Sequence, residues 1–224
     1  KFLAPVMFML FSGMDVVGYW ITDFQRGTIY HYEWWAGWIE YSSSLTSIFW
    51  APQNTIPGWM AAAFFLSRPN AKQFVVAAPL FLMACVLWSP FVALGVVVLM
   101  LCMLNKEIFD AVMLDVPGAV LVAIIAGLLA YYVTFDSVSI PRSFVWNNPC
   151  LKSAIGEPCF SVLGYVEFVV LEVLCIAAVA FSLKDTRTWL TFAACSVLLL
   201  LPFVQVGLYN DIAMSSSRPS LAVL

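Results

Sequence analysis

Asp15 lies close to the end of the apolar segment that begins at Phe2, and Gly13 and Gly18 lie beside it. A carboxylate within an apolar segment is costly and usually faces the protein interior or a water-filled cavity, where it has a function. The glycines would allow backbone or a ligand to approach closely. Asp15 is therefore the first candidate for a functional group. The alternative is a helix cap or ion-pair partner just outside the hydrocarbon.

A second carboxylate, Asp211 in GLYNDIAM, follows the last long apolar segment. If it reaches the same membrane face as Asp15, the two could bind a divalent cation such as Mg²⁺ or Mn²⁺, or divide base and binding roles. We include the neighbouring Asn210 among the candidate substrate-binding residues. The alternative for Asp211 is a solvated helix end.

Two glutamates, Glu167 and Glu172, lie in another apolar segment. Their separation of five residues is about 140° around a helix, so they do not form one paired site. Desolvation could protonate either carboxyl and leave it as a hydrogen-bond donor between helices. The functional alternative is a proton or ion site in a transporter.

Three further candidates lie in the first long loop. His31 is the only histidine, and imidazole titrates near neutral pH, although a contact with lipid headgroups would also explain its position. Gln53 and Asn54 lie between Pro52 and Pro57, where a helix must break. Backbone freed at that depth needs protein or water partners, which indicates a cavity.

The composition requires lipid as the solvent for much of the chain. Of the residues, 63% are hydrophobic and 10% charged, and the mean hydropathy is +0.95, which exceeds what a soluble domain of this length could bury. The apolar runs are continuous and of helix length, which predicts an all-α bundle rather than a β-barrel. Membrane lipid is therefore the expected partner. The net charge of -3 gives no reason to expect nucleic acid.

About seven spans are predicted, each near 20 apolar residues. The third and fourth form a hairpin divided at Ser89-Pro90, with arms short enough to be re-entrant. We expect one transmembrane domain, residues 1–224, belonging to a longer chain, since the sequence starts without methionine and ends in an apolar run. The predicted spans are Phe2 to Trp20, Leu45 to Leu66, the hairpin Phe74 to Leu104, Val116 to Phe135, Phe160 to Leu183, and Trp189 to Gly207.

The distribution of lysine and arginine in short loops predicts the orientation. With the amino end in the cytoplasm, Asp15, the first loop and Asp211 face outward. The same orientation exposes a loop with Cys150 and Cys159 to an oxidising compartment, where they could form a disulfide. The outward arginines could hold a phosphate, since guanidinium binds it as a fork: Arg26, Arg142 and Arg218.

The first loop, residues 20–58, is rich in tryptophan. At helical spacing, one face of HYEWWAGWIEYSS would carry aromatic residues: Trp34, Trp38 and Tyr41. Another face would carry Glu33, Gly37 and Glu40. This pattern predicts a short amphipathic helix at the membrane interface, and the tryptophans alone are also explained by an aromatic belt that anchors the fold.

The layout of the chain resembles that of the GT-C superfamily of membrane glycosyltransferases. In both, an acidic residue closes the first span, a long outward loop follows, and several spans joined by short loops come after it. The sequences FSGMD, IFWAPQNTIPGW, LWSPFVALG and GLYNDIAM are also similar to those of related bacterial multispanning proteins. The resemblance implies a polyprenyl-phosphate sugar as donor, an inner-membrane location, and Asp15 as catalytic base or metal contact, with Asp23 in reserve. Ser215 stands where the family pattern has an arginine, which leaves Arg218 as the nearest cation.

Two other classes of function remain open on the sequence. A transporter would use Glu167 or Glu172, and broken helices near a binding site are typical of transporters. A non-catalytic membrane subunit would use the aromatic loop as a docking surface for other protein subunits.

Overall fold

The computed structural model describes residues 8, 14–23, 33, 35–135, 140–149, 159–182, 188–207 and 210–224. These residues are mostly helical, as the sequence predicts. The helices are α1 (Asp15–Asp23), α2 (Ser44–Trp50), α3 (Pro52–Leu66), α4 (Ala71–Trp88), α5 (Pro90–Met103), α6 (Lys106–Leu114), α7 (Val116–Thr134), α8 (Val162–Ser182), α9 (Thr188–Leu200), α10 (Asp211–Ser216) and α11 (Arg218–Val223). Two short strands, β1 (Arg142–Phe144) and β2 (Val204–Val206), pair antiparallel with Ser143 opposite Gln205.

Prolines and short polar caps set the helix boundaries. Pro52 and Pro90 occupy first-turn positions, where the missing amide hydrogen costs nothing. Asn70 begins α4 with a reciprocal capping box to Gln73, and Asn105 caps α6 by accepting from the Ile108 amide at 2.8 Å. The predicted division of the hairpin at Ser89-Pro90 is therefore confirmed.

Two helices, α4 and α8, are long and apolar enough to cross a membrane. Helices α5 and α6 add a third if the pair, bent by 113°, counts as one broken span. Within the described residues the apolar stretches Val116–Tyr132 of α7 and Trp189–Phe203, which begins in α9, are shorter, so the predicted count of seven spans is not supported. Breaks in the apolar runs explain part of the difference, because the predicted second span divides at Ala51 and the predicted seventh ends in β2. Most of the predicted first span, Phe2 to Trp20, lies outside the described residues.

The outer surface of the helices carries many large apolar side chains. Trp50 and Leu114 are each 84% exposed, and Phe49 is 82% exposed. Large apolar side chains exposed in such number are unfavourable in water and suit contact with lipid. The membrane character predicted from composition is consistent with this surface and with the candidate spans.

The core has two parts. The first lies among α3, α4, α5 and α9, where Phe65, Val92, Leu99 and Leu190 are almost completely buried. The second packs residues of the first loop against α8 and α9, with Phe168 at its centre. The carboxyl-terminal helices α10 and α11 insert between these parts and contact α3, α5 and α9.

Cys159 is disulfide-bonded, whereas Cys85, Cys102, Cys175 and Cys195 are free thiols. Cys150 lies outside the described residues, so its predicted pairing with Cys159 stays a prediction.

Candidate functional site

The first loop folds into the protein instead of lying at the interface. Residues 35–43 have turn, bend and irregular backbone. Five aromatic and acidic side chains of this part of the loop are buried, whereas Phe49 and Trp50 further along are exposed: Glu33, Trp35, Trp38, Glu40 and Tyr41. The predicted amphipathic helix with outward glutamates is therefore wrong for these residues, and Trp34 lies outside the described part. The physical reason is that the carboxylates find hydrogen-bond donors inside the fold, which offset the cost of removing them from water.

Aromatic contacts fix this loop against α8. The rings of Trp35, Trp38 and Tyr41 lie 6.0, 6.0 and 5.0 Å from the ring of Phe168, centroid to centroid. The Tyr41 hydroxyl donates to the Leu198 carbonyl at 2.5 Å, and burial raises the pKa of this phenol well above its usual value. These contacts hold this part of the loop against α8, where it lines the site.

Asp15 is the first residue of α1 and is only 3% exposed. Its carboxyl group lies in hydrogen-bonding contact with that of Glu172, which is 2% exposed. Gly18, one turn after Asp15, is needed for this arrangement, because a Cβ there would overlap the indole ring of Trp35. Trp35 can consequently approach α1 and reach Glu172.

Glu172 lies in a π-helical turn, Val169–Leu174, within α8. Such turns are rare and frequently occur at functional sites because they redirect side chains. Here Glu172 accepts a hydrogen bond from Trp35 Nε1 at 3.1 Å and another from the Met14 amide. Glu167 is only partly buried, so the prediction that the two glutamates of α8 do not form one site is in keeping with their burial.

Glu33 and Glu40 are the acids that the sequence interpretation misplaced. Glu33 Oε1 accepts from the Ser43 amide at 3.1 Å and from Thr46 Oγ1 at 2.7 Å, and Ser42 Oγ donates to Glu40. The serine-rich stretch YSSSLTS was the available signal, since hydroxyl groups close to two glutamates can satisfy them inside the protein.

Arg218, the first residue of α11, is 4% exposed. Its Nη1 donates to the Ser42 carbonyl at 2.6 Å and to Ser47 Oγ. Burial lowers the pKa of Arg218 to about 10, against the opposing effects of Glu40 and Glu33. The guanidinium therefore stays charged near neutral pH.

These five residues form one buried polar cluster, which we call the carboxylate–arginine centre: Asp15, Glu33, Glu40, Glu172 and Arg218. Glu33 and Glu40 lie within electrostatic range of both Asp15 and Arg218, so they join the carboxyl pair to the cation. Asp15 Oδ2, Glu33 Oε2 and Arg218 Nε are buried without a hydrogen-bond partner among the described residues. A cluster of this kind can move protons and can bind a polar group in an otherwise apolar fold.

The remaining predicted site residues lie elsewhere or are not described. Asp211 is exposed and its carboxylate lies against Gly207, whereas the buried Asn210 accepts from the Val206 amide at 3.4 Å. Gln53 is exposed, and its neighbour Asn54 donates to Ser215 Oγ at 3.1 Å. His31 and the side chain of Asp23 lie outside the described residues.

Within the described part of the chain, no three histidine, cysteine, aspartate or glutamate side chains group so that they could hold a metal ion. The divalent cation predicted at Asp15 and Asp211 stays a prediction.

Replacing Trp35 with phenylalanine tests the link between the loop and α8. The ring contact with Phe168 would remain, but Glu172 would lose its indole donor, so the free energy of unfolding should fall by about 1–2 kcal/mol. Denaturant unfolding in detergent measures this change. Trp88→Phe, at a residue 57% exposed, is the matched control and should leave stability unchanged.

Comparison with known proteins gives no family to which these features can be referred. The chain matches no family model, no curated protein and no solved structure.

Proposed function

We propose that this protein is a membrane glycosyltransferase of the GT-C kind that transfers a sugar from a polyprenyl-phosphate donor. The observation that carries the proposal is the convergence of Asp15 and Arg218 on one buried centre from opposite ends of the chain. Transfer of a sugar from a phosphate requires a proton acceptor for the incoming hydroxyl and a cation for the leaving phosphate. The carboxylate–arginine centre contains both.

In the proposed reaction, the carboxyl pair at Asp15 accepts the proton of the acceptor hydroxyl. The hydroxyl oxygen forms a bond to the anomeric carbon as the bond from that carbon to the phosphate oxygen breaks. The electron pair of the broken bond stays on the polyprenyl phosphate, which leaves. Positioned acid–base groups of this type contribute about 10²–10⁴-fold to the rate of such reactions.

Arg218 is the residue that we assign to the phosphate. It is charged near neutral pH, and its Nε has no partner among the described residues, so a further acceptor can bind there. A guanidinium at a desolvated site stabilises developing negative charge more strongly than it would in water. The hydrogen bonds from Nη1 to the Ser42 carbonyl and to Ser47 hold the side chain in place before the substrate arrives.

The membrane arrangement is part of the same proposal. The protein would be a multi-pass protein of the bacterial inner membrane, with Asp15 and the first loop toward the extracytoplasmic side. The donor's lipid tail would lie in the bilayer beside the exposed apolar faces of the helices.

Asp15→Asn tests the assignment. Asparagine keeps the size of the side chain but cannot accept the proton, so sugar transfer should fall at least about 10²-fold while folded protein is still recovered. Native mass spectrometry of the detergent-purified protein identifies the bound lipid, and this lipid is then used as the donor in the transfer assay. Asp110→Asn, at an exposed position in α6, is the control. Retained transfer in Asp15→Asn would rule out the proposed role.

A transporter remains the second candidate, and one observation favours it. Glu172, rather than Glu167, is buried in a π-helical turn and contacts a second carboxyl group. A proton-coupled flux that Glu172→Gln abolishes, in a protein without sugar transfer, would select the transporter over the transferase.

A further inference from the structure

An apolar cavity of about 580 Å³ lies between α4, α5 and α7, and we call it the apolar groove. Its volume is within the usual range of small-molecule sites. The side chains of α7 leave this space open because several of those that line it are small: Gly118, Ala119, Ala126 and Ala130. The lining extends from Asp115 to Ala130, which is about 22 Å along a helix axis. One leaflet contributes about 15 Å of hydrocarbon, so the groove is long enough for an extended acyl chain.

A second cavity, which we call the polar pocket, continues from one end of the apolar groove. Val75 and Asp115 line both cavities. The polar side chains of this pocket come from the start of α4, the first turn of α6 and the junction of α6 with α7: Asn70, Lys72, Glu107 and Asp115. The two cavities together form an amphipathic site, with one apolar part and one polar end.

The polar pocket lies where a membrane boundary is expected. Helix α4 is long and apolar enough to cross a membrane, and Lys72 lies in its first turn. Helix α6 bends by 113° from α5, so it lies closer to the membrane plane when α5 crosses the bilayer. It exposes both charged and apolar side chains, as interfacial helices do: Lys106, Asp110, Met113 and Leu114. The site therefore extends from headgroup level into the hydrocarbon, as a lipid molecule does.

The charges of the polar pocket favour a headgroup that carries both signs. Lys72 and the amino-terminal end of α4, where the backbone amides carry partial positive charge, favour a phosphate. Glu107 and Asp115 favour a cation, and they lie on one face of α6, each four residues from Ala111. A purely anionic headgroup would place its charge beside two carboxylates, and a neutral headgroup would leave the lysine without an anion.

We propose that the apolar groove and the polar pocket bind one zwitterionic phospholipid whose headgroup ends in a primary ammonium, the chemistry of phosphatidylethanolamine. One acyl chain lies in the groove, the phosphate contacts Lys72, and the ammonium donates to Asp115 and Glu107. A primary ammonium has three N–H donors, whereas the quaternary ammonium of phosphatidylcholine has none. The site is built from α4 to α7, but the carboxylate–arginine centre uses the first loop, α1, α8 and α11. The lipid site consequently does not depend on sugar transfer.

Native mass spectrometry of the delipidated, detergent-purified protein tests the proposal on the wild-type chain. The probes are phosphatidylethanolamine, phosphatidylcholine and phosphatidylglycerol with identical acyl chains. Phosphatidylethanolamine should bind as one molecule per chain and at least about tenfold more tightly than the other two, which lack the ammonium donors. Equal binding of the three lipids, tighter binding of phosphatidylglycerol, or no retained lipid would overturn the proposal. A dimer that excludes lipid would also overturn it, since a second copy of the chain would then occupy the groove.

Variants locate the acyl chain and the headgroup separately. Ala126→Phe fills the groove and should weaken binding of all three lipids, whereas Ala123→Phe, at an exposed position on α7 outside the groove lining, should not. Asp115→Asn combined with Glu107→Gln should abolish the preference for phosphatidylethanolamine, and asparagine can still cap α7. Asp110→Asn, at an exposed position on α6, should keep the preference. Unchanged binding in Ala126→Phe, or an unchanged preference in the double variant, contradicts the proposal.

Discussion

Arg218→Met is expected to lower the free energy of unfolding by about 3–5 kcal/mol, because it leaves buried carboxylates without their cation. Methionine keeps much of the volume of the side chain, so loss of packing contributes little. The hydrogen bonds to the Ser42 carbonyl and to Ser47 would be lost, and Glu33 and Glu40 would lose the nearest positive charge. Denaturant unfolding in detergent, followed by tryptophan fluorescence, measures the effect.

Two further variants separate the electrostatic cause from general damage. Arg142→Met, at an exposed position of β1, removes one charge of the same kind and should leave stability unchanged. Glu40→Gln added to Arg218→Met should recover part of the loss, since it removes one of the uncompensated carboxylates. Wild-type stability in Arg218→Met would show that the cation does not hold the centre together.

The helices of this protein were largely predictable, because they depend on local patterns. The predicted span from Phe160 to Leu183 corresponds to α8, and the division at Ser89 follows from the residue before proline avoiding the helical region. What the apolar runs could not reveal is where polar breaks shorten the helices. The run from Leu45 to Leu66 reads as one span, but Ala51 has a non-helical backbone and divides it into α2 and α3.

The carboxylate–arginine centre was predictable only in part. Asp15 was a candidate because a charge in an apolar segment is costly, and Arg218 because an outward guanidinium could hold a phosphate; both are buried in one cluster. Glu33 and Glu40 were assigned to a solvated helix face, because their spacing fits a helix. Whether the loop that carries them turns inward depends also on contacts with distant segments: the Arg218 guanidinium donates to the Ser42 carbonyl, and the Trp35 indole donates to Glu172. Periodicity within one segment carries no information about these contacts.

The position of Arg218 depends in turn on a close contact between α5 and the carboxyl-terminal turn. At Gly95 a Cβ would overlap the carbonyl oxygen of Ser216 and lie 3.1 Å from its carbonyl carbon. Ser216 Oγ also donates to the Phe91 carbonyl one turn earlier, which binds α10 to α5. The groups that a Cβ at Gly95 would meet belong to the backbone of Ser216, so only a shift of α10 could accommodate it. Helix α11 follows directly after α10, so Arg218 would shift as well.

Gly95→Ala is therefore expected to destabilise the protein by about 3 kcal/mol, at the upper end of the usual cost of overpacking. It should also weaken the proposed sugar transfer, because Arg218 moves with α10. Gly127→Ala is the matched control, since nothing lies within 4 Å of a Cβ at that position in α7. There alanine should stabilise the helix by about 0.5–1 kcal/mol through its better helix propensity. Opposite signs for the two variants in denaturant unfolding would establish the contact, and equal effects would show that Ser216 does not pack against α5 as described. Only the Gly95 variant should reduce the proposed transfer, and that result would make this glycine contact a determinant of the site as well as of the fold.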